Sequence, residues 1–264
     1  MNLPDGWTTD TVDANGVELR YYRTGKGPSV VLAHGLFDTG RCWAPLVADL
    51  AADYTVVTYD ARGHGRSAAP ATGYGVDDRV ADLVGLLDAL SLTDPVLLGH
   101  SMGASTVAWA AAWHPARPSG VVLEDPAGMH GDPAMGPAER ATAVRERVET
   151  DAEQSTDELV AEYDDRDPDL ARRLAVADQE CSPVVAEIVR HGFPPLTEAF
   201  GEIRVPTLVV KADAEPPTRV RDLAVADTLA DGRLVHVPGA GHCVFRDRYD
   251  AAFAELATFL RRIE

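Results

Sequence analysis

A chain of 264 residues, 45% of them apolar, can bury a sizeable core and has the length of one α/β domain carrying an insertion. Its 42 acidic and 24 basic residues leave a net charge of −18, and a surface so acidic repels nucleic acid and anionic membranes. No leader with a basic and then an apolar region opens the sequence, and no apolar run reaches the roughly 18 residues of a membrane span. Cys42, Cys181 and Cys243, odd in number and far apart, suit a reducing, cytoplasmic setting better than a disulfide framework.

Along the chain, Thr11 to Tyr22 alternate apolar and polar residues around Asn15-Gly16, the signature of a type I′ hairpin. Ser29 to Ala33 is a short buried-type strand running into His34-Gly35, and Arg41 to Ala51 repeats apolar residues at helical spacing. Tyr54 to Tyr59 is the next strand. The polar loop after it, Asp60 to Ser67, reads as architectural, with no chemistry for Arg62 or His64. Asp77 or Asp78 is placed to cap a helix with Val80, Leu83, Val84, Leu87 and Leu90 on one face. Thr93-Asp94-Pro95 ends it. Val96 to Leu98 then form an apolar strand and Met102 to His114 an uncharged, Ala-rich helix closed by Pro115.

Between that strand and that helix lies Gly99-His100-Ser101-Met102-Gly103, a G-x-S-x-G sequence. A sharp strand-to-helix turn leaves no room for Cβ atoms at its flanks, which gives both glycines a mechanical reason and lifts the Ser101 hydroxyl to the apex. Gly120 to Pro126 is a further buried strand, ending in Glu124-Asp125. From residue 127 to 201 strand signals cease, and charged helical segments are punctuated by Pro133, Pro137, Pro168, Pro183, Pro194 and Pro195. So long a stretch exceeds a plain connection. Val205 to Val210 restores the sheet, Arg219 to Leu229 makes a helix, Arg233 to Val237 the last strand, and Asp247 to Arg262 a closing amphipathic helix. Strands alternating with helices imply right-handed crossovers and a largely parallel sheet with ligands at the carboxyl ends of its strands.

The turn at Ser101 resembles the nucleophile elbow of the α/β-hydrolase superfamily. Three further stretches extend the resemblance over nearly the whole chain: His34-Gly35-Leu36-Phe37-Asp38, Tyr59 to Ser67, and Pro238-Gly239-Ala240-Gly241-His242. The resemblance implies a mostly parallel eight-stranded sheet with helices on both faces. It also implies that 1–126 and 202–264 form the core and 127–201 a helical cap inserted after the sixth strand, roofing the site.

A serine hydroxyl needs an adjacent base, and the base a third group that holds its tautomer. By the superfamily order the base is His242. The acid has two candidates: Asp125, as in relatives such as haloalkane dehalogenases and zearalenone lactonases that carry it just after the strand following the elbow helix, and Glu215, in the commoner place after the cap. Asp125 is preferred, because the later turn lacks the usual Asp and has gained Pro216-Pro217. The family's oxyanion donors fall on the backbone N–H groups of Leu36 and Met102. Gly35, Phe37 and His100 would border the substrate pocket, and His34 would tie loops together. The other histidines show no metal-ligand spacing, so neither metal nor cofactor is expected.

The implied activity is hydrolysis of a carboxylic ester or lactone through an acyl-enzyme, on a small-molecule substrate. Serine rather than aspartate at position 101 argues against dehalogenase or epoxide hydrolase chemistry. A C–C bond hydrolase or a cofactor-free perhydrolase could use the same triad, and a hydrolase-fold ligand receptor could use the same pocket without turnover.

The acidity itself has two readings, adaptation to a salty cytoplasm or an Arg- and Ala-rich genome; Lys26 and Lys211 are the two lysines, every other basic residue being arginine. Under the first, self-repulsion spans the molecule at low salt, where the Debye length is roughly 30 Å at about 0.01 M. The melting temperature is then expected to climb between about 0.1 and about 2 M KCl as screening tightens. A flat profile would leave the compositional reading alone.

Overall fold

The computed structural model describes residues 3–130 and 135–263. Pro133 of the prolines above lies outside them. Eight strands form one sheet: β1 (Thr8–Ala14), β2 (Val17–Thr24), β3 (Ser29–Ala33), β4 (Thr55–Tyr59), β5 (Val96–His100), β6 (Gly120–Glu124), β7 (Thr207–Lys211) and β8 (Gly232–His236). Their spatial order is β1-β2-β4-β3-β5-β6-β7-β8. β2 runs antiparallel to both neighbours and every other pairing is parallel, so the mostly parallel eight-stranded α/β sheet is observed. The hairpin closes with Ala14 opposite Val17, and Asn15 (φ 54°) and Gly16 (φ 71°) take the left-handed pair of conformations that a type I′ turn needs.

Side chains alternate across a strand, and here both faces are apolar. Val31, Ala33, Leu97, Val121 and Val209 face one layer, packing with α2 (Val76–Ala89) and α3 (Met102–Trp113). Val30, Leu32, Leu98, Val122 and Leu208 face the other, with α1 (Ala44–Leu50) and the last helix. Each such valine or leucine, fully buried, contributes about 1.5–3 kcal/mol. α3 is buried from Met102 to Ala112, which suits its run of alanine, the strongest helix former.

Between β6 and β7 lie α4 (Pro137–Glu153), α5 (Thr156–Ala161), α6 (Pro168–Gln179), α7 (Ala186–His191) and α8 (Leu196–Phe200). The prolines there mostly begin elements rather than interrupt them: Pro137 and Pro168 stand at the first helical positions, where the missing N–H costs nothing. α8 packs on α3 in the first core layer, through Leu196, Ala199 and Phe200. The chain ends with α9 (Pro216–Ala226), α10 (Val244–Asp247) and α11 (Tyr249–Ile263).

Several expected boundaries differ; the closing helix expected over 247–262 is two pieces, α10 ending at Asp247 and α11 beginning at Tyr249 after a non-helical Arg248, and three further changes concern helix starts. The helix expected over 41–51 opens as a 3₁₀ turn, Gly40–Trp43, before α1. Gly75, not Asp77 or Asp78, occupies the N-cap of α2, and Asp78 Oδ2 instead accepts the Gly75 N–H at 3.1 Å from inside the first turn. α9 starts three residues earlier than expected, because Pro216-Pro217 pre-set the helical φ.

The approach of α3 to the sheet hinges on two glycines. A Cβ on Gly103 would lie on the backbone carbonyl of Ala33, and one on Gly99 on the carbonyl of Gly103. Gly103→Ala is therefore expected to destabilise the protein by about 1–3 kcal/mol, lowering the melting temperature by several degrees in a scan. Gly201→Ala, helical in backbone and with nothing closer than 3.8 Å to the added methyl, serves as the neutral control.

Candidate active site

Ser101 has φ 49° and ψ −109°, outside the region a non-glycine residue prefers. The turn is held from both sides: the Ser101 N–H donates to the Glu124 carbonyl at 2.9 Å, and the Ser101 carbonyl accepts from Ala127 at 3.1 Å and Ser105 at 3.0 Å. Phe37 (φ 71°) and Asp125 (φ 36°) are likewise left-handed. Of the six described non-glycine residues with positive φ, three thus belong to this one neighbourhood. Such strain, of order 1–3 kcal/mol each, collects at functional sites.

A cavity of ≈ 380 Å³ lies over the carboxyl ends of β3 and β5, and Ser101, His242, Leu36, Phe37 and His100 all line it. Arg147, Tyr163 and Leu174, from the segment between β6 and β7, supply its far wall. Gly35 stands behind the lining: a Cβ there would press on the His100 ring, so its bareness lets that ring approach. Met102, the first residue of α3, is buried against Leu36 and Phe37, and its N–H falls in the first turn, where helices leave donors without internal partners.

His242 Nδ1 donates to Asp125 Oδ2 at 2.5 Å. The acceptor being a carboxylate, the proton belongs on Nδ1 and Nε2 is left as the basic nitrogen. Among the described residues no hydrogen bond joins Ser101 Oγ to His242, although the two share the cavity wall. Bonds of this kind often tighten only around a bound substrate. Glu215 is exposed at the N-cap of α9, its carbonyl receiving the N–H groups of Thr218 and Arg219, and is not the residue bonded to His242.

Burial works against ionising Asp125, but the hydrogen bond from His242 and the ammonium of Lys211, 2.6 Å from Oδ1, pull its pKa down to about 2. Lys211 is the last residue of β7 and was not singled out in the sequence. Its signal was rarity, as one of two lysines among arginines. The turn carrying His242 is braced from two directions that the sequence also concealed. Asp213 Oδ2 accepts the Gly239 N–H at 2.7 Å, and Asp247 Oδ2 accepts the Gly241 N–H at 2.8 Å while its other oxygen holds Arg166 at 2.7 Å.

His100 works as a strut. Its Nε2 donates to the His242 carbonyl at 3.1 Å and its Nδ1 lies 3.7 Å from Asp38, which Arg246 holds at 2.9 Å. Burial disfavours the charged His100 ring, yet Glu124 and Asp38 outweigh it and raise its pKa well above the usual histidine value. Burial likewise opposes the charge of Asp38, and Arg246 overcomes it, holding that carboxyl below its ordinary range. His34 ties loops: Nε2 accepts the Ala61 N–H at 2.9 Å, which leaves the proton on Nδ1 to reach the Gly35 carbonyl at 2.7 Å. In the loop after β4, Arg62 is paired with Asp82 and buried His64, lowered to about 3 by burial and by His34, bonds the Arg62 carbonyl at 3.0 Å.

A sequence profile described as the alpha/beta hydrolase family matches residues 30–256. The chain is 27% identical to a 2-(acetamidomethylene)succinate hydrolase of Mesorhizobium japonicum, over 91% of its own length and 90% of that protein's. It is 29% identical to a 3-oxoadipate enol-lactonase of Acinetobacter baylyi, covering 81% and 82% of the two chains. The crystal structure of an enol-lactonase from Burkholderia xenovorans superposes with a TM-score of 0.76 at 28% identity, covering 96% of this chain and all of that one.

Proposed function

The chain belongs to the alpha/beta hydrolase family, and on that premise we propose that it hydrolyses a carboxylic ester or lactone through an acyl-enzyme on Ser101. The observation that carries the reading is the 2.5 Å bond from His242 to Asp125 at the wall of the cavity that also holds Ser101. Likeness to the enol-lactonases supports the lactone half of it.

In this mechanism Nε2 of His242 takes the Ser101 proton as Oγ attacks the substrate carbonyl. The imidazolium that forms is stabilised by Asp125, already ionised because Lys211 and His242 keep its pKa near 2. The negative oxygen of the tetrahedral intermediate meets the N–H groups of Leu36 and Met102. His242 then passes its proton to the leaving alkoxide, and a water activated by the same nitrogen releases the acid. The segment 127–201, chiefly α4 to α7, acts as the cap: its Arg147 lies 3.9 Å over the Phe37 ring, next to the oxyanion loop, and fixes one wall of the substrate's space.

A fluorophosphonate probe should label the wild-type protein and not Ser101→Ala. Ser101→Ala and His242→Ala should each abolish hydrolysis of p-nitrophenyl butyrate with unchanged melting curves, and the double variant should be little worse than either. Labelling without turnover would indicate a ligand receptor in place of an enzyme.

Replacing the acid by its amide keeps the shape and removes the charge, a change that costs about 10⁴ in kcat in a serine protease. Asp125→Asn should therefore lower kcat by at least about 10²-fold, and Glu215→Gln by less than about tenfold, under roughly 1.4 kcal/mol. The reverse order in steady-state kinetics would transfer the acid's part to Glu215.

A further inference from the structure

The carboxylate of Asp125 is shared. One oxygen takes the His242 Nδ1–H at 2.5 Å and the other lies 2.6 Å from Lys211 Nζ. Lys211 ends β7, with its side chain 12% exposed, and among the described residues the one further donor to Oδ1 is the Ala212 N–H at a long 3.5 Å. We propose that Lys211 is a positioning residue that fixes the Asp125 carboxylate against His242 and, by offsetting its charge, keeps His242 a weaker base, so that the neutral, active ring persists to lower pH. This rests on the reading of Ser101, His242 and Asp125 given above.

The argument is one of charge and of place. A carboxylate facing a histidine favours the imidazolium and raises the pH at which the ring loses its proton. A cation on the carboxylate's far oxygen cancels much of that pull. An ammonium is a compact point charge suited to a single oxygen, where a guanidinium would compete for both. Other charged groups stand around the pair, and each is already engaged. From β5, His100 packs its ring 4.8 Å from that of His242 and is held by the His242 carbonyl and Asp38. From β6, Glu124 accepts the Phe245 N–H at 2.8 Å, and from α10, Arg246 holds Asp38. From the turn after β7, Asp213 is occupied by Gly239 and Arg219; from β8, His236, opposite Lys211 in the sheet, is bonded to Asp222 on α9 at 2.7 Å. Among the described residues the side chains bonded to Asp125 are therefore His242 and Lys211.

The test is the pH profile of kcat/KM for p-nitrophenyl butyrate, whose acid limb reports the free enzyme's base. Lys211→Met should move that limb up by roughly one pH unit, and Lys211→Arg should bring it back toward the wild-type position. In an Asp125→Asn background Lys211→Met should move it less, since the amide no longer holds the ammonium in place and only its weaker direct repulsion of the ring is left. An unmoved limb in Lys211→Met, with activity lost equally at all pH values, would overturn the proposal and leave Lys211 a structural ion pair. Should Lys211→Met fail to give a cooperative melting curve, Lys211→Gln carries the same expectation, and misfolding of both would overturn it too. Turnover surviving in Ser101→Ala would sink the nucleophile and this proposal together, whereas an inactive Ser101→Ala beside an unmoved limb removes the role of Lys211 alone.

Discussion

The contact of Gly103 with the Ala33 carbonyl sets the distance at which α3 enters the sheet, and much of the site follows from it. At that distance Ser101 has to turn in a left-handed conformation, and the buried Ala-rich helix behind it supplies the packing that holds it there. Phe37 and Asp125, at the ends of the segments after β3 and β6, carry the same kind of backbone strain on either side. Three strained residues at about 1–3 kcal/mol each are tolerable because both faces of the sheet are packed with fully buried aliphatic side chains. Strain in one place and dense packing beneath it form a single arrangement.

Electrostatics then hold the catalytic candidates within a chain whose net charge is −18. Acidic groups near the site are put to structural use: Asp38 takes Arg246, Asp213 and Asp247 accept N–H groups of the His242 turn, and Glu124 accepts that of Phe245. His100, whose charged form is favoured by Glu124 and Asp38, holds the His242 backbone through its Nε2. The wall opposite follows the same pattern. Arg147 is steadied by Asp151 at 3.2 Å and Asp178 at 3.3 Å, so that its guanidinium can lie on the Phe37 ring. Burial leaves the pKa of Asp178 itself raised to about 6, although the hydrogen bond from Tyr163 and the charge of Arg147 pull the other way.

Periodicity and glycine placement made the fold legible. Alternation around Asn15-Gly16 marked the hairpin, buried-type runs marked β3 to β7, and two glycines flanking Ser101 marked the strand-to-helix turn. Helix starts were less legible, since Pro216 and Pro217 look like breakers in a sequence and are first-turn residues in the structure. Of the candidate site, Ser101 and Asp125 were singled out because each directly follows a strand, and His242 because it stands in a glycine-rich turn. Lys211, Arg147, Asp213 and Asp247 were not, because what matters about each is a partner far off in the chain. Lys211 and Asp125 meet across neighbouring strands, and Arg147 and Phe37 meet across an inserted segment.

The surroundings of Asp125 show how two such features depend on each other. The turn after β7 runs into Pro216-Pro217, which commit the chain to α9 and leave Glu215 exposed as its N-cap. With Asp125 at the end of β6, the neighbouring β7 end is free to present a cation to its outer oxygen while the inner oxygen keeps His242. The same two strands, paired side by side, thus bring Asp125 and Lys211 together, and the backbone bond from the Asp125 N–H to the Val210 carbonyl at 2.8 Å carries the sheet's register into the site.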